Sequence, residues 1–165
     1  MLAACSSVPV GSMLKMASMN KDDITQIDPQ QVRARITIDP PAELQTKEVK
    51  LALQFAFGGQ TESEYLFSLD LVANEVVKDK PHWFSDEISR NRYEFIIHKD
   101  SLNDFKRYQR EFRKYGKPEK YHWTVYYYLE SMPAKGQPIE LDLELKFSRE
   151  EAYFYLLKGA SVEVE

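Results

Sequence analysis

The chain has 165 residues, with 22 basic and 26 acidic side chains, a net charge of −4, 43% hydrophobic residues and 13% aromatic residues. This is a globular composition rather than a disordered one; it is too acidic overall to favour nucleic acid as a partner, and no apolar run is long enough to span a bilayer as a helix. The single cysteine cannot close an internal disulfide, and a domain of this length buries enough surface to fold without one.

The chain opens with Leu2-Ala3-Ala4-Cys5, followed by Ser6 and Ser7. A branched apolar residue, two small residues and a cysteine resemble the lipobox of bacterial lipoproteins. The residue types suit the chemistry: a peptidase must admit the small side chains of Ala3 and Ala4, and a thiol is the nucleophile that takes a diacylglyceryl group. In that family the cysteine becomes the first residue and is also acylated on its amine. Several acyl chains, at about 0.8 kcal/mol per buried CH₂, make a stable anchor where one is marginal. The resemblance implies a lipid on Cys5, a membrane as partner, and a bacterial cell envelope location. Aspartate after the cysteine commonly retains such proteins at the inner membrane. Ser6 stands there instead, which implies the outer membrane, facing the periplasm or the surface. Residues 1–5 then read as the remnant of a signal peptide, because only Met1 precedes Leu2 where charged and apolar regions belong.

Residues 6–29 read as a tether or an edge segment. Met13, Leu14, Met16 and Met19 could pack back on the domain, and Asp28-Pro29 signals a turn. A single β-rich domain follows, from 30 to 165. Val32, Ala34, Ile36 and Ile38 alternate with Arg33, Arg35 and Thr37, and Asp39-Pro40-Pro41 ends that strand. Val49 to Phe57 and Tyr65 to Leu71 repeat the pattern around Gly58-Gly59, as a hairpin would. Tyr93, Phe95 and Ile97 predict a fourth strand, and Tyr121 to Leu129 a fifth. The fifth is aromatic on both faces, as a strand covered on both sides would be. Ile139 to Phe147 predicts a sixth, with Glu140, Asp142 and Glu144 facing water. Ser148-Arg149-Glu150-Glu151 predicts a short helical turn, and Lys158-Gly159 a turn into a last strand. The fold expected is mainly β. An antiparallel β-sandwich or an open barrel of about six to eight strands is expected, in preference to a closed barrel.

One amphipathic helix is expected near residues 101–115. Ser101 and Asp104 form a capping-box-like pair. Leu102, Phe105, Tyr108, Phe112 and Tyr115 recur at three- and four-residue spacing, and Gly116 and Pro118 stop the helix. Arg90 to Lys120 holds ten basic and five acidic residues, a local +5 that leaves −9 for the rest of the chain. Lys106, Arg107, Arg110, Arg113 and Lys114 fall opposite the apolar stripe. They are a candidate patch for anionic lipid or an acidic envelope protein, although charge on the wet side of such a helix is also the default. Trp83, Tyr126 and Tyr128 are a candidate aromatic surface, since Tyr and Trp carry a polar handle on an apolar ring.

Catalytic motifs are missing from the sequence. His82, His98 and His122 stand alone, without the spacing of a metal site, and no nucleophile elbow, phosphate loop or zincin motif occurs. Neither a cofactor nor a metal is expected. The function expected is a non-catalytic interaction or assembly module on a lipid anchor. A carrier that holds a small molecule or lipid in a β-barrel or sandwich is the alternative. An enzyme acting on envelope polymers comes third.

Overall fold

The computed structural model describes residues 21–80, 86–118, 120–131 and 134–162. Cys5 with its lipobox, the stretch from Met13 to Met19, His82 and Trp83 lie outside the described residues. The strands are β1 (Arg33–Ile38), β2 (Glu43–Leu44), β3 (Lys50–Ala56), β4 (Ser63–Asp79), β5 (Ile88–Ile97), β6 (Lys120–Tyr126), β7 (Leu129–Ser131), β8 (Ile139–Lys146) and β9 (Phe154–Val162). The helices are α1 (Lys21–Gln26) and α2 (Leu102–Tyr115). α1 falls inside the segment expected as a tether or an edge segment, and its Ile24 is buried in the core.

Seven strands form one antiparallel sheet in the order β6-β3-β4-β5-β1-β8-β9, and β2 pairs with β7 beside it. The sheet curls until it is nearly closed, so the open barrel is the architecture formed. Rings rather than a strand ladder bridge its two edges. Trp123 of β6 lies 5.9 Å from Phe147, and Phe147 lies 5.4 Å from Phe154 of β9, measured between ring centroids. The fifth predicted strand is therefore an edge strand, not one covered on both sides. Trp123, Thr124, Val125 and Tyr126 are all half-buried, and the strand ends at Tyr126 before β7 begins.

The inner face is built from the alternation. Ala34, Ile36 and Ile38 of β1, Leu51, Leu53 and Phe55 of β3, and Leu141, Leu143 and Leu145 of β8 are all buried. α2 crosses beneath β3 and β4. Phe105 meets Phe67 at 5.2 Å and Tyr108 meets Phe55 at 5.6 Å. Each fully buried ring or aliphatic side chain contributes about 1.5–3 kcal/mol. Gln109 takes a buried place on the helix's inner face. Its amide donates to the carbonyls of Ile24 and Ile27 at 3.1 and 2.8 Å, which satisfies the open C-terminal end of α1. Tyr115, expected in the stripe, is 44% exposed.

The capping box expected at Ser101 and Asp104 does not form. A 3-10 turn at Lys99–Ser101 precedes α2 and holds Ser101 in helical geometry (φ −85°, ψ −8°), from which its side chain makes no cap bond. Its hydroxyl instead accepts the backbone N–H of Ser68 at 2.9 Å, tying the helix start to β4. At the tail, residues 148–151 are bends rather than a helical turn. Lys158-Gly159 is not a turn either: β9 runs through it with a register shift against β8. Gly159 takes φ +60°, where an L side chain would be strained, and its N–H donates to Asp142 Oδ1 at 2.6 Å.

The outer face departs most from expectation. Asp142 and Glu144, predicted to be solvated, are each only 8% exposed. The cause is a layer of arginines from neighbouring strands. Arg35 of β1 sits opposite Glu94 of β5 and Glu144 of β8, at 3.8 and 3.7 Å, and Tyr153 stacks on it at 3.6 Å. Arg90 of β5 is 2% exposed. Its Nε donates to Asp39 at 2.6 Å. Its Nη1 donates to Asp142 at 2.5 Å and to Asp79 at 3.3 Å. Its Nη2 donates to the carbonyls of Thr37 and Glu140, at 3.4 and 3.2 Å. Burial disfavours that charge, but Asp142 and Asp39 outweigh it and raise the guanidinium pKa.

Removing Arg90 would leave carboxylates buried without their cation. Arg90→Ala should cost about 3–5 kcal/mol. Urea unfolding checks this as a lower midpoint at an unchanged slope; a change below about 0.5 kcal/mol, the usual range for surface substitutions, would show the cluster to be dispensable.

Candidate functional site

Three features of the described surface carry polar or apolar groups that the core does not need. The first is the outward face of α2. At 3.6 residues per turn, Phe105, Tyr108 and Phe112 point inward, and Lys106, Arg107, Arg110, Arg113 and Lys114 fall together on the opposite side. All five are exposed. The two acids of the helix sit on its flank: Asp104 pairs with Arg107 at 2.9 Å, and Glu111 accepts from Tyr65 Oη at 2.8 Å. Three of the cations are partly engaged. Arg107 also lies over the Tyr65 ring at 5.1 Å, and Arg113 donates to the Thr25 carbonyl of α1 at 3.1 Å. Lys114 lies over the Tyr115 ring at 4.6 Å. Lys106 and Arg110 have no acidic partner among the described residues. The sequence-predicted patch is thus brought together as one stripe of a single sign.

The predicted aromatic surface is not assembled in the same way. Tyr126 is half-buried and donates to Glu64 at 3.4 Å. Tyr128 is 45% exposed, while its carbonyl accepts from Gln45 N–H at 2.8 Å. Trp83 is outside the described residues.

The second feature is a groove of about 400 Å³ that sequence reasoning missed. Leu44 and Tyr93 lie at its base, and Leu71 and Val76 on its side, with exposures of 39% and 68%. Glu43, Glu75 and Glu130 also line it. It arises because β4 outruns β3. β4 pairs with β3 only over Ser63–Ser68, then continues with β5 to Asp79. Residues 43–46, 71–76, 91–93 and 130 contribute, so no local pattern announces the groove. The one signal available was Leu71, Val72, Val76 and Val77 standing in a polar stretch.

The third feature is His98, predicted as an isolated residue at a strand end. Its Nδ1 lies 2.7 Å from Asp70 Oδ2, and its Nε2 lies 3.3 Å from Asp100. The Asp70 hydrogen bond raises its pKa above the usual 6.5, with Asp100 assisting. Asp70 belongs to β4 and Asp100 to the 3-10 turn, so the cluster ties the end of β5 to both. Among the described residues, no group of His, Cys, Asp and Glu side chains could hold a metal ion, and no helix is long and apolar enough to cross a membrane. No family model, curated protein or solved structure matches the chain.

A histidine whose folded pKa is raised stabilises the fold below its unfolded value near 6.5, and that contribution is lost as pH rises through the folded pKa. The His98 ring should therefore titrate above 6.5 in an NMR pH series, and Asp70→Asn should bring its midpoint down. A midpoint at or below 6.5 in the parent protein would contradict the geometry.

Proposed function

We propose that the protein is an envelope lipoprotein, held by lipid on Cys5 at the outer membrane, that acts as a non-catalytic interaction module and sets the outward face of α2 against an anionic membrane surface. The observation that carries this reading is the stripe of Lys106, Arg107, Arg110, Arg113 and Lys114, with the acids of the helix kept to its flank. Cations near an anionic bilayer gain about 1 kcal/mol each, and a lipid anchor would raise the local concentration of the stripe at that surface. The lipobox resemblance supplies the anchor. The alternative, a carrier, needs an apolar cavity. The space beneath the sheet is filled by Phe55, Phe67, Phe95, Phe105, Tyr108 and Phe112, all at most 2% exposed, which supports the module over the carrier.

Two measurements test the reading. The domain without lipid on Cys5 should bind phosphatidylglycerol vesicles at low salt, and binding should fade as the Debye length shrinks to about 8 Å. Lys106→Glu, Arg110→Glu and Lys114→Glu together should abolish binding at unchanged stability, because the inward rings are untouched. Expressed behind a lipoprotein leader, the protein should take up labelled fatty acid, and Cys5→Ser should stop it. A domain that ignores anionic vesicles at low salt would sink the role of α2; a wild type that stays unlabelled would sink the anchor.

A further inference from the structure

The protruding half of β4 has features that the α2 face does not account for. Residues 73–79 pair with β5 on one side, and no strand pairs with them on the other among the described residues. β3 leaves this position vacant because it begins only at Lys50, opposite Ser68. An unpaired strand edge is a template for pairing with another chain, and proteins normally shorten it, cover it or block it. This one runs seven residues, about 23 Å at 3.3 Å per residue. A register shift between Leu71 and Ala73 marks where the ribbon leaves the barrel wall. Leu71, Val72 and Val76 are 39%, 50% and 68% exposed, which gives this edge three of the six large hydrophobic side chains exposed on the described surface.

The groove beside this edge gives the occupant its charge. Of its three glutamates, Glu75 is answered by Arg92 at 3.7 Å. Glu43 on β2 and Glu130 on β7 are exposed and have no cationic partner among the described residues. Asn74, Asn91 and Thr46 supply neutral hydrogen-bonding groups along the same lining. An extended segment placed there would meet three things at once: free backbone groups of β4, the apolar surface of Leu71 and Val76, and two uncompensated carboxylates.

We propose that Ala73–Asp79 of β4 is a strand-addition site that takes an extended segment of a partner protein, one whose groove-facing row, every second side chain, holds both basic and β-branched residues. Main-chain pairing supplies affinity, as in other cases of strand addition, and alternate side chains supply specificity. The row that faces the groove sets its β-branched residues against Leu71 and Val76. Its cations reach Glu43 and Glu130 across the groove. The site uses none of the α2 cations, so it stands or falls independently of the membrane face.

The probe is a blocked octapeptide with threonine at its odd positions and valine, lysine, valine and lysine at its even ones, titrated into the full chain without lipid on Cys5 and followed by amide NMR and hydrogen exchange. The expected result is saturable binding, with exchange slowed by about tenfold or more at the amides of Ala73 to Val77 and little change on α2. Two changes should each weaken binding by about tenfold or more: N-methylation of alternate peptide nitrogens, and the pair Glu43→Lys and Glu130→Lys on the protein. Both glutamates are exposed, so the double variant should keep its fold, and its amide spectrum verifies this. The proposal is overturned if exchange at residues 73–79 does not change at saturation. It is equally overturned if the N-methylated peptide, or the same octapeptide with glutamate in place of lysine, binds as well. Concentration-dependent dimerisation in sedimentation, lost in Val76→Lys, would assign the edge to a second copy of the chain and refute the partner named here.

Discussion

Arg90 carries a full charge on the outer face of the sheet, where strand alternation would leave it in water, yet it is only 2% exposed. A buried guanidinium is stable only when its donors are used, since each ion taken out of water costs several kcal/mol. Here its three nitrogens reach three carboxylates and two main-chain carbonyls. Those partners come from β4, from β8, and from β1 with the residue that follows it. Asp142 in turn accepts Gly159 N–H of β9, and Asp39 accepts Glu140 N–H. One side chain thus fixes five strands against each other. A slip of one residue in β1 would turn its side chains to the other face and move the Thr37 carbonyl away from Nη2, so the cluster specifies register as well as adding stability.

This arrangement explains which parts of the fold were legible in the sequence. β1, β3 and β8 alternate cleanly because their inner side chains are buried and their outer ones are polar. α2 was legible for the equivalent reason at a period of 3.6. The burial of the outer face was not. Asp142 has the polarity of a solvated residue, and Arg90, 52 positions away, together with Gly159 N–H makes it otherwise. Ser101 carries a capping residue's chemistry, yet the 3-10 turn and the demand of Ser68 N–H claim it. The far half of β4 has no buried face, so alternation gave no signal there. The basic stripe of α2 belongs to one element and could be read from spacing alone; the groove draws on four segments and could not.

The same division separates what holds the domain from what it shows to the outside. The inward rings of α2 lock it to β3 and β4, and Gln109 fastens α1 to it. The outward cations take little part in that packing, apart from Arg113 on the Thr25 carbonyl and Arg107 over Tyr65. Cations concentrate on one helix, while Glu43 and Glu130, carboxylates without a cationic partner among the described residues, lie on β2 and β7. Two surfaces of opposite sign can therefore vary without disturbing the core or neutralising each other.

The position of β1 between β5 and β8 also bears on how the chain can assemble. During synthesis β1 emerges early, but both of its neighbours come much later; Asp39 and Glu140, which meet at 3.0 Å, are 101 positions apart. Until β8 exists, β1 has an open edge and Arg90 lacks its Asp142 partner. No N-terminal fragment can reproduce the cluster, so the nascent protein stays open to chaperones and proteases over most of its length. Closure is then a late and collective event, of the slow kind that long-range β pairing imposes.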